Sequence, residues 1–491
     1  MNVLSHPRIT SFIGGQPVSP GGRDAFENID PATGEVVSTV EVATAEDVDH
    51  AVSAARAALS GPWGKLTLDQ RARALHAIAD GIEARFDDFL RAEMLDTGKP
   101  VNLASHLDIP RGAANFRAFA ETLKHAPGEF FPMVAPDGGD ALNYTLRGPR
   151  GVIGVICPWN LPFLLMTWKV APALACGNTV VVKPSEETPS TAALLGEVMR
   201  EAGIPDGVYN VVQGFGPGSA GQYLTEHQGI DGITFTGETR TGEAIMRAAA
   251  KGVRPVSFEL GGKNAGIVFA DCDMEKALEQ TARAVFMNAG QVCLQTERLY
   301  VERPIFDAFV EGLAERARAL KPGDPFDKAT SFGPVISAEH KDKITGYYDV
   351  AARHGANVVT GGGLYAMDGR LAGGNWVEPT IWTGLDDADT VLREEIFGPC
   401  VHIAPFDDED EAITRANDSE FGLASMLWTQ DLSRAHRVGA RLQSGITWVN
   451  CWFLRDLRTA FGGMKHSGIG REGGVHGLEF YTELRNICIK L

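Results

Sequence analysis

The chain reads as an α/β protein built from a doubly wound unit and a second α/β unit, on three observations. Between residues 151 and 260, short runs rich in β-branched residues (GVIGVI, NTVVVKP, VYNVV, GITFTG, PVSFEL) alternate with helical patterns, including one at 190–202 and one ending at 251. Such alternation makes a Rossmann-like parallel sheet with helices on both faces. A second alternating stretch spans about 261–455, with helices near 273–289, 304–320, 337–356 and 432–443 and strands such as RLYVE and GITWVN. The 491 residues also exceed what one hydrophobic core usually serves.

Residues 44–59 open with Thr44 and Asp47, a capping-box pair, and place Val48, Ala51, Val52, Ala55 and Leu59 on one helical face. A further helix is expected over 68–95, burying Leu75, Ile78, Ile82, Phe86, Phe89 and Leu90 and stopped by TGKP at 97–100. In doubly wound sheets ligands bind beyond the carboxyl ends of the strands, which is where KPSEE at 183–187 and FTGE at 235–238 fall. The glycine-rich stretches at 361–374 and 462–474 read as loops, and no internal repeat is evident.

A hydrophobic fraction of 44% and a charged fraction of 22% are those of an ordinary soluble globular protein. The net charge of −18 argues against nucleic acid and anionic membranes as partners. An anionic substrate must then be met by arginines set inside a cleft. Seven scattered cysteines without a CxxC pair, and twelve histidines without ligand spacing, point to reduced thiols and no metal site. The opening MNVLSHPRITSF has no sustained apolar segment, and no stretch reaches a membrane span, so a cytoplasmic address is expected.

Three residues stand where chemistry is feasible. Cys293 in NAGQVCLQTER lies at an element boundary, although a lone cysteine is more often an inert small hydrophobe. Glu259 ends the buried run PVSF and precedes two glycines; it is either a paired structural acid or a base whose pKa burial raises. Asn160 in CPWNLP has an amide that can donate to an oxyanion, or is simply a turn former.

Taken in order along the chain, PWNLP, KPSEETP, FTGE, ELGGKN, GQVC, EEIFGP and GGMKHSGIGRE resemble the aldehyde dehydrogenase superfamily over almost the whole length. The resemblance implies Cys293 as nucleophile, Glu259 as base, and Asn160 with the Cys293 backbone N–H as oxyanion hole. It implies NAD as cofactor, with Lys183 and Glu186 at the adenosine ribose, Glu395 and Phe397 on the nicotinamide side, and Trp159, Gly237 and Glu238 also in the cleft. Glu238 is a departure, since many relatives carry serine there, beside the pyrophosphate. It further implies a cofactor domain at 1–127 and 150–260, a catalytic domain at 261–455, a return segment at 456–477, and oligomerisation segments at 128–149 and 478–491 joining a dimer or tetramer.

DIPRGAANFR and WFLRDLRTAFGG resemble the branch of that superfamily acting on 2-hydroxymuconic and 2-aminomuconic semialdehydes, in the breakdown of aromatic compounds. That likeness places Arg111 and Arg455 on a substrate carrying carboxylate groups, with Arg458 as a rival for Arg455 and Trp168 lining the aldehyde tunnel. Asp108 and Asp456 are near enough in sequence to make each arginine a surface ion pair instead. The expected reaction is NAD-dependent oxidation of 2-hydroxymuconate 6-semialdehyde to the dicarboxylate. The 2-amino substrate, a broad-range aliphatic aldehyde dehydrogenase, a coenzyme A acylating enzyme and a catalytically silent NAD-binding protein are the alternatives.

Overall fold

The fold is that of a computed structural model, which describes residues 7–18 and 21–491; the first half of the amino-terminal segment read above, residues 1–6, lies outside them. The first sheet has eight strands. Five parallel strands form its centre in the order Val256–Glu259, Gly232–Thr236, Val152–Ile156, Thr179–Lys183, Tyr209–Val211. The chain enters in the middle at Val152–Ile156 and winds outward to both sides. The order therefore reverses between Val152–Ile156 and Gly232–Thr236, and a crevice opens beyond their carboxyl ends. Phe12–Ile13 and Gln16–Pro17 extend one edge, and Gly468–Ile469 pairs antiparallel to Val256–Glu259 at the other.

Helix Pro162–Ala175, apolar all round except for Lys169, is buried along its entire length under this sheet. Side chains of its kind contribute about 1.5–3 kcal/mol each on full burial. Helix Ala45–Ser60 starts at the expected capping box, Thr44 with Asp47. The helix expected over 68–95 is instead two, Leu68–Ala84 and Phe86–Thr97, broken at Arg85 with φ −110° and ψ 28°. Both halves bury the same face, Ile82 in one and Phe89 in the other, so apolar spacing runs through the break unaltered. Gly98, at φ 67°, ends the second half where a Cβ would come within 2.5 Å of Pro334.

The second sheet has seven strands in the order Asn357–Thr360, Thr380–Thr383, Cys400–Phe406, Thr296–Glu302, Asn264–Val268, Ala424–Trp428, Ile446–Val449; only Asn357–Thr360 runs antiparallel. The chain passes directly from Val256–Glu259 in the first sheet to Asn264–Val268 in the second. The carboxyl ends of one sheet thus meet the amino ends of the other, where the loops carrying Cys293 and Glu395 lie. A third sheet pairs Phe130–Val134, Asp140–Pro149 and Thr482–Lys490. The segment 478–491 begins within helix Gly474–Tyr481 and becomes a strand only at Thr482. Among the described residues no helix is long and apolar enough to cross a membrane.

Candidate active site

The crevice between the two sheets is a cleft of about 530 Å³ lined by Trp159, Asn160, Glu186, Gly237, Glu238, Cys293, Glu395 and Phe397. Eight of the residues singled out from the sequence are therefore brought together, although they come from five separate loops.

Cys293 follows a tight turn in which Asn288 and Ala289 hold left-handed backbones, φ 56° and 52°. Such conformations are strained for non-glycine residues and persist only when their surroundings enforce them. The enforcement here is a set of amide contacts. Asn288 Nδ2 donates to the Asn160 carbonyl at 3.0 Å, and Asn160 Nδ2 donates to the Gln291 carbonyl at 3.0 Å. Asn264 Nδ2 donates to the carbonyls of Cys293 and Gln295, both at 2.7 Å, while its Oδ1 accepts from the Ala424 N–H. Burial, reinforced by Glu259 and Glu395 and opposed by Arg455, pushes the Cys293 thiol up to about 12. The free thiol is consequently neutral near pH 7 and needs a base.

Glu259 terminates its buried strand, and neither carboxylate oxygen has a hydrogen-bond partner. Burial first and the Glu472 carboxylate second raise it to about 8, against Lys169, Arg455 and Arg471. Glu472 is held by Lys169 at 2.7 Å, and Lys169 also reaches Thr234 Oγ1 at 3.1 Å. An unpartnered buried carboxyl with its pKa near neutrality is suited to taking and returning protons.

At the opposite end of the cleft Lys183 pairs with Glu186 at 2.8 Å. Glu187, also in the lining, is raised to about 7 by burial and by Glu186 and Glu339. Glu238 is exposed and engages Arg240 at 3.3 Å, which offsets the acid at that lip of the cleft. The lining includes Thr236, whose buried Oγ1 has no partner within the chain. Trp159 and Phe397 stand edge-on, centroids 5.4 Å apart and planes at 89°.

On the far side of Cys293, the Arg455 guanidinium lies between two rings, 4.2 Å from the Trp168 centroid and 3.8 Å from that of Phe461. Its Nε and Nη2 are buried without partners. Burial, and then Arg111 nearby, pull it down to about 10 against Glu472 and Glu259. The acids that were to occupy these arginines are occupied elsewhere: Asp108 binds Lys99 at 3.0 Å and Asp456 binds Arg458 at 2.5 Å. Arg458 is exposed, whereas the Arg455 guanidinium is enclosed. Trp168 is 2% exposed and packs on Arg455 and Phe119, so it is the support of the guanidinium rather than an open tunnel wall.

Sequence reading missed Lys169, Asn264, Gln291, Glu297, His340, Phe461 and Glu472. A lysine inside the apolar helix PFLLMTWKVAPALA was a usable signal for Lys169, and Asn264, Gln291 and Glu472 lie within ELGGKN, GQVC and GGMKHSGIGRE; Glu297, His340 and Phe461 sit in strings with no local cue.

A thiol in a crevice between two doubly wound units, with an unpaired buried carboxyl close enough to act on it, is the arrangement of a dehydrogenase site. The chain belongs to the aldehyde dehydrogenase family, which residues 18–487 match. It is 66% identical over 483 residues to the 2-hydroxymuconic semialdehyde dehydrogenase of Pseudomonas sp. (strain CF600), covering 98% of this chain and 99% of the relative. It is 57% identical to the 2-aminomuconic 6-semialdehyde dehydrogenase of Pseudomonas sp., covering 95% of each. Among solved structures, an NAD⁺ complex of the aldehyde dehydrogenase from Bacillus cereus superposes with a TM-score of 0.95 at 39% identity, covering 99% of this chain and 97% of that one.

Proposed function

We propose that this chain oxidises 2-hydroxymuconate 6-semialdehyde to the dicarboxylate with NAD⁺, through a thioester on Cys293, in the catabolism of aromatic compounds. The observation that carries the substrate is the pair Arg111 and Arg455, two partly or wholly buried guanidiniums whose neighbouring acids are bound elsewhere. A buried cation without a counterion is costly, and a carboxylate arriving on a ligand removes that cost.

Lys183 and Glu186 hold the adenosine ribose, Glu395 and Phe397 the nicotinamide side, and Thr236 offers a free hydroxyl between them. The Glu186 carboxylate repels a 2′-phosphate and so selects NAD⁺ over NADP⁺. Bound there, NAD⁺ supplies the acceptor for the hydride that converts the cysteine adduct into a thioester. The residues do the rest. The Cys293 proton passes to Glu259, and the thiolate adds to the aldehyde carbon. The resulting oxyanion is met by the Asn160 amide and the Cys293 backbone N–H. Glu259 passes that proton on to solvent and, ionised again, takes one from water, whose oxygen attacks the thioester and frees the thiolate and the acid. In Asn160→Ala, kcat falls about 10²–10³-fold with KM little changed, as loss of one preorganised donor dictates; stopped-flow NADH formation checks it.

On one face of the third sheet Phe130, Val134, Leu146 and Ile489 are exposed, an apolar face suited to a homo-oligomeric contact. All seven cysteines are free, which suits a reducing compartment such as the cytoplasm.

The substrate reading is tested by kcat/KM for the semialdehyde and for hexanal in the wild type, Arg111→Ala and Arg455→Ala. Truncating one partner of a buried charge pair costs about 2–5 kcal/mol, so each variant loses at least about thirtyfold with the semialdehyde and little with hexanal. Equal use of both aldehydes by the wild type makes this a broad-range enzyme.

A further inference from the structure

The wall of the cleft assigned to the nicotinamide is not a free-standing loop. Phe397 holds a left-handed backbone, φ 62°, a conformation that bulky residues adopt only when held. It is held at both ends of its own peptide units. Its N–H donates to Glu297 Oε1 at 2.9 Å, and the preceding Ile396 N–H donates to Glu297 Oε2 at 3.2 Å. Its carbonyl accepts from His340 Nε2 at 2.8 Å. Glu297 is 4% exposed and forms a buried ion pair with Lys263, 1% exposed. His340 packs edge-on to Trp159, centroids 5.0 Å apart, and burial depresses it to about 4, so it stays a neutral donor throughout the working range.

Glu297 lies four residues beyond Cys293 at the start of Thr296–Glu302. Two further contacts tie the same segments together. Gln295 Nε2 donates to the Gly398 carbonyl at 2.5 Å and to the Cys400 carbonyl at 3.3 Å. Gly290, at φ 74°, comes so close to Gly398 that a Cβ would lie 2.1 Å from its carbonyl oxygen. The segment bearing the thiol and the segment bearing Glu395 and Phe397 are thus fastened side by side.

We propose that Glu297 and His340 are positioning residues that pin the Phe397 backbone and so set the nicotinamide side of the cofactor cleft relative to Cys293. This rests on the assignment of NAD⁺ to the cleft, and the test separates the two. The pin acts on one half of the cofactor only. His340→Phe keeps the aromatic packing against Trp159 but removes the donor; His340→Gln keeps a donor for the same carbonyl.

The experiment is calorimetric binding of NAD⁺ and of ADP, which lacks the nicotinamide riboside, to the wild type and both variants, with thermal melting alongside. In His340→Phe the NAD⁺ dissociation constant rises about tenfold, that of ADP less than twofold, and first-turnover NADH formation slows. In His340→Gln both constants return to within about threefold of the wild type. Glu297→Gln shows the same split, provided its melting curve remains cooperative. The pin is overturned if NAD⁺ and ADP weaken together, if neither weakens in His340→Phe, or if His340→Gln is as impaired as His340→Phe. Failure of wild-type protein to bind either nucleotide overturns the cofactor assignment instead.

Discussion

In Cys293→Ala, aldehyde oxidation falls by about 10⁴-fold or more, while NAD⁺ binds as in the wild type. The size follows from the chemistry: with no sulfur to attack, no covalent adduct forms, and losses of this order attend removal of a nucleophile from an acyl-transfer site. Binding survives because the contacts assigned to the cofactor lie elsewhere in the cleft and none uses the Cys293 side chain. Steady-state assays with a fluorescence titration of NAD⁺ measure both quantities. Appreciable turnover in this variant removes Cys293 from its role; loss of NAD⁺ binding shows that the substitution disturbed the loop that Asn264 and Asn288 hold.

Glu259→Gln separates the two halves of the reaction. Hydrolysis of the thioester slows about 10²–10⁴-fold, the usual contribution of a positioned base. A first-turnover burst of NADH remains, slower than in the wild type, because the positive nicotinamide ring assigned beside Cys293 favours the thiolate without help from Glu259. The pH dependence has a definite sign. Glu259 is raised to about 8 by burial and by Glu472, so below that pH it carries its proton and cannot accept one from water. Deacylation in the wild type therefore rises with pH, about tenfold per unit well below 8, and levels off above it. In Glu259→Gln that limb is absent. A pH-independent rate in the wild type contradicts the base assignment, as does loss of the burst in the variant.

The parts of this site that were legible in the sequence are those carried by contiguous strings. Cys293, Glu259 and Asn160 each sit at an element boundary, where the residues alone left a structural reading open, and their roles came from the resemblance of the strings around them. KPSEE and FTGE, which carry Glu186, Gly237 and Glu238, fall beyond the carboxyl ends of parallel strands, where ligands bind. What the strings do not contain is the partner across the fold. Glu472 modulates Glu259 from 213 positions away in the chain, and although it closes the string GGMKHSGIGRE, nothing in that string links it to Glu259. Arg455 and Arg458 share one loop without periodicity, so spacing ranks neither; the fold tells them apart, Trp168 and Phe461 enclosing one guanidinium while Asp456 engages the other. The break at Arg85 was invisible for the opposite reason: the apolar rhythm persists through it because both helices face the same core. Likewise alternation of strand and helix announces a parallel sheet but not the order of its strands, which here determines where the crevice opens.

The central claim is that this particular aldehyde becomes an acyl group on this particular sulfur. Glu259→Gln, mixed with NAD⁺ and 2-hydroxymuconate 6-semialdehyde and quenched in acid after one turnover, is digested and weighed by mass spectrometry. The peptide containing Cys293 carries the mass of the hydroxymuconoyl group in an amount matching the NADH formed, and hydroxylamine removes it. NADH formed with that peptide unmodified, or with the acyl group on another residue, contradicts the account.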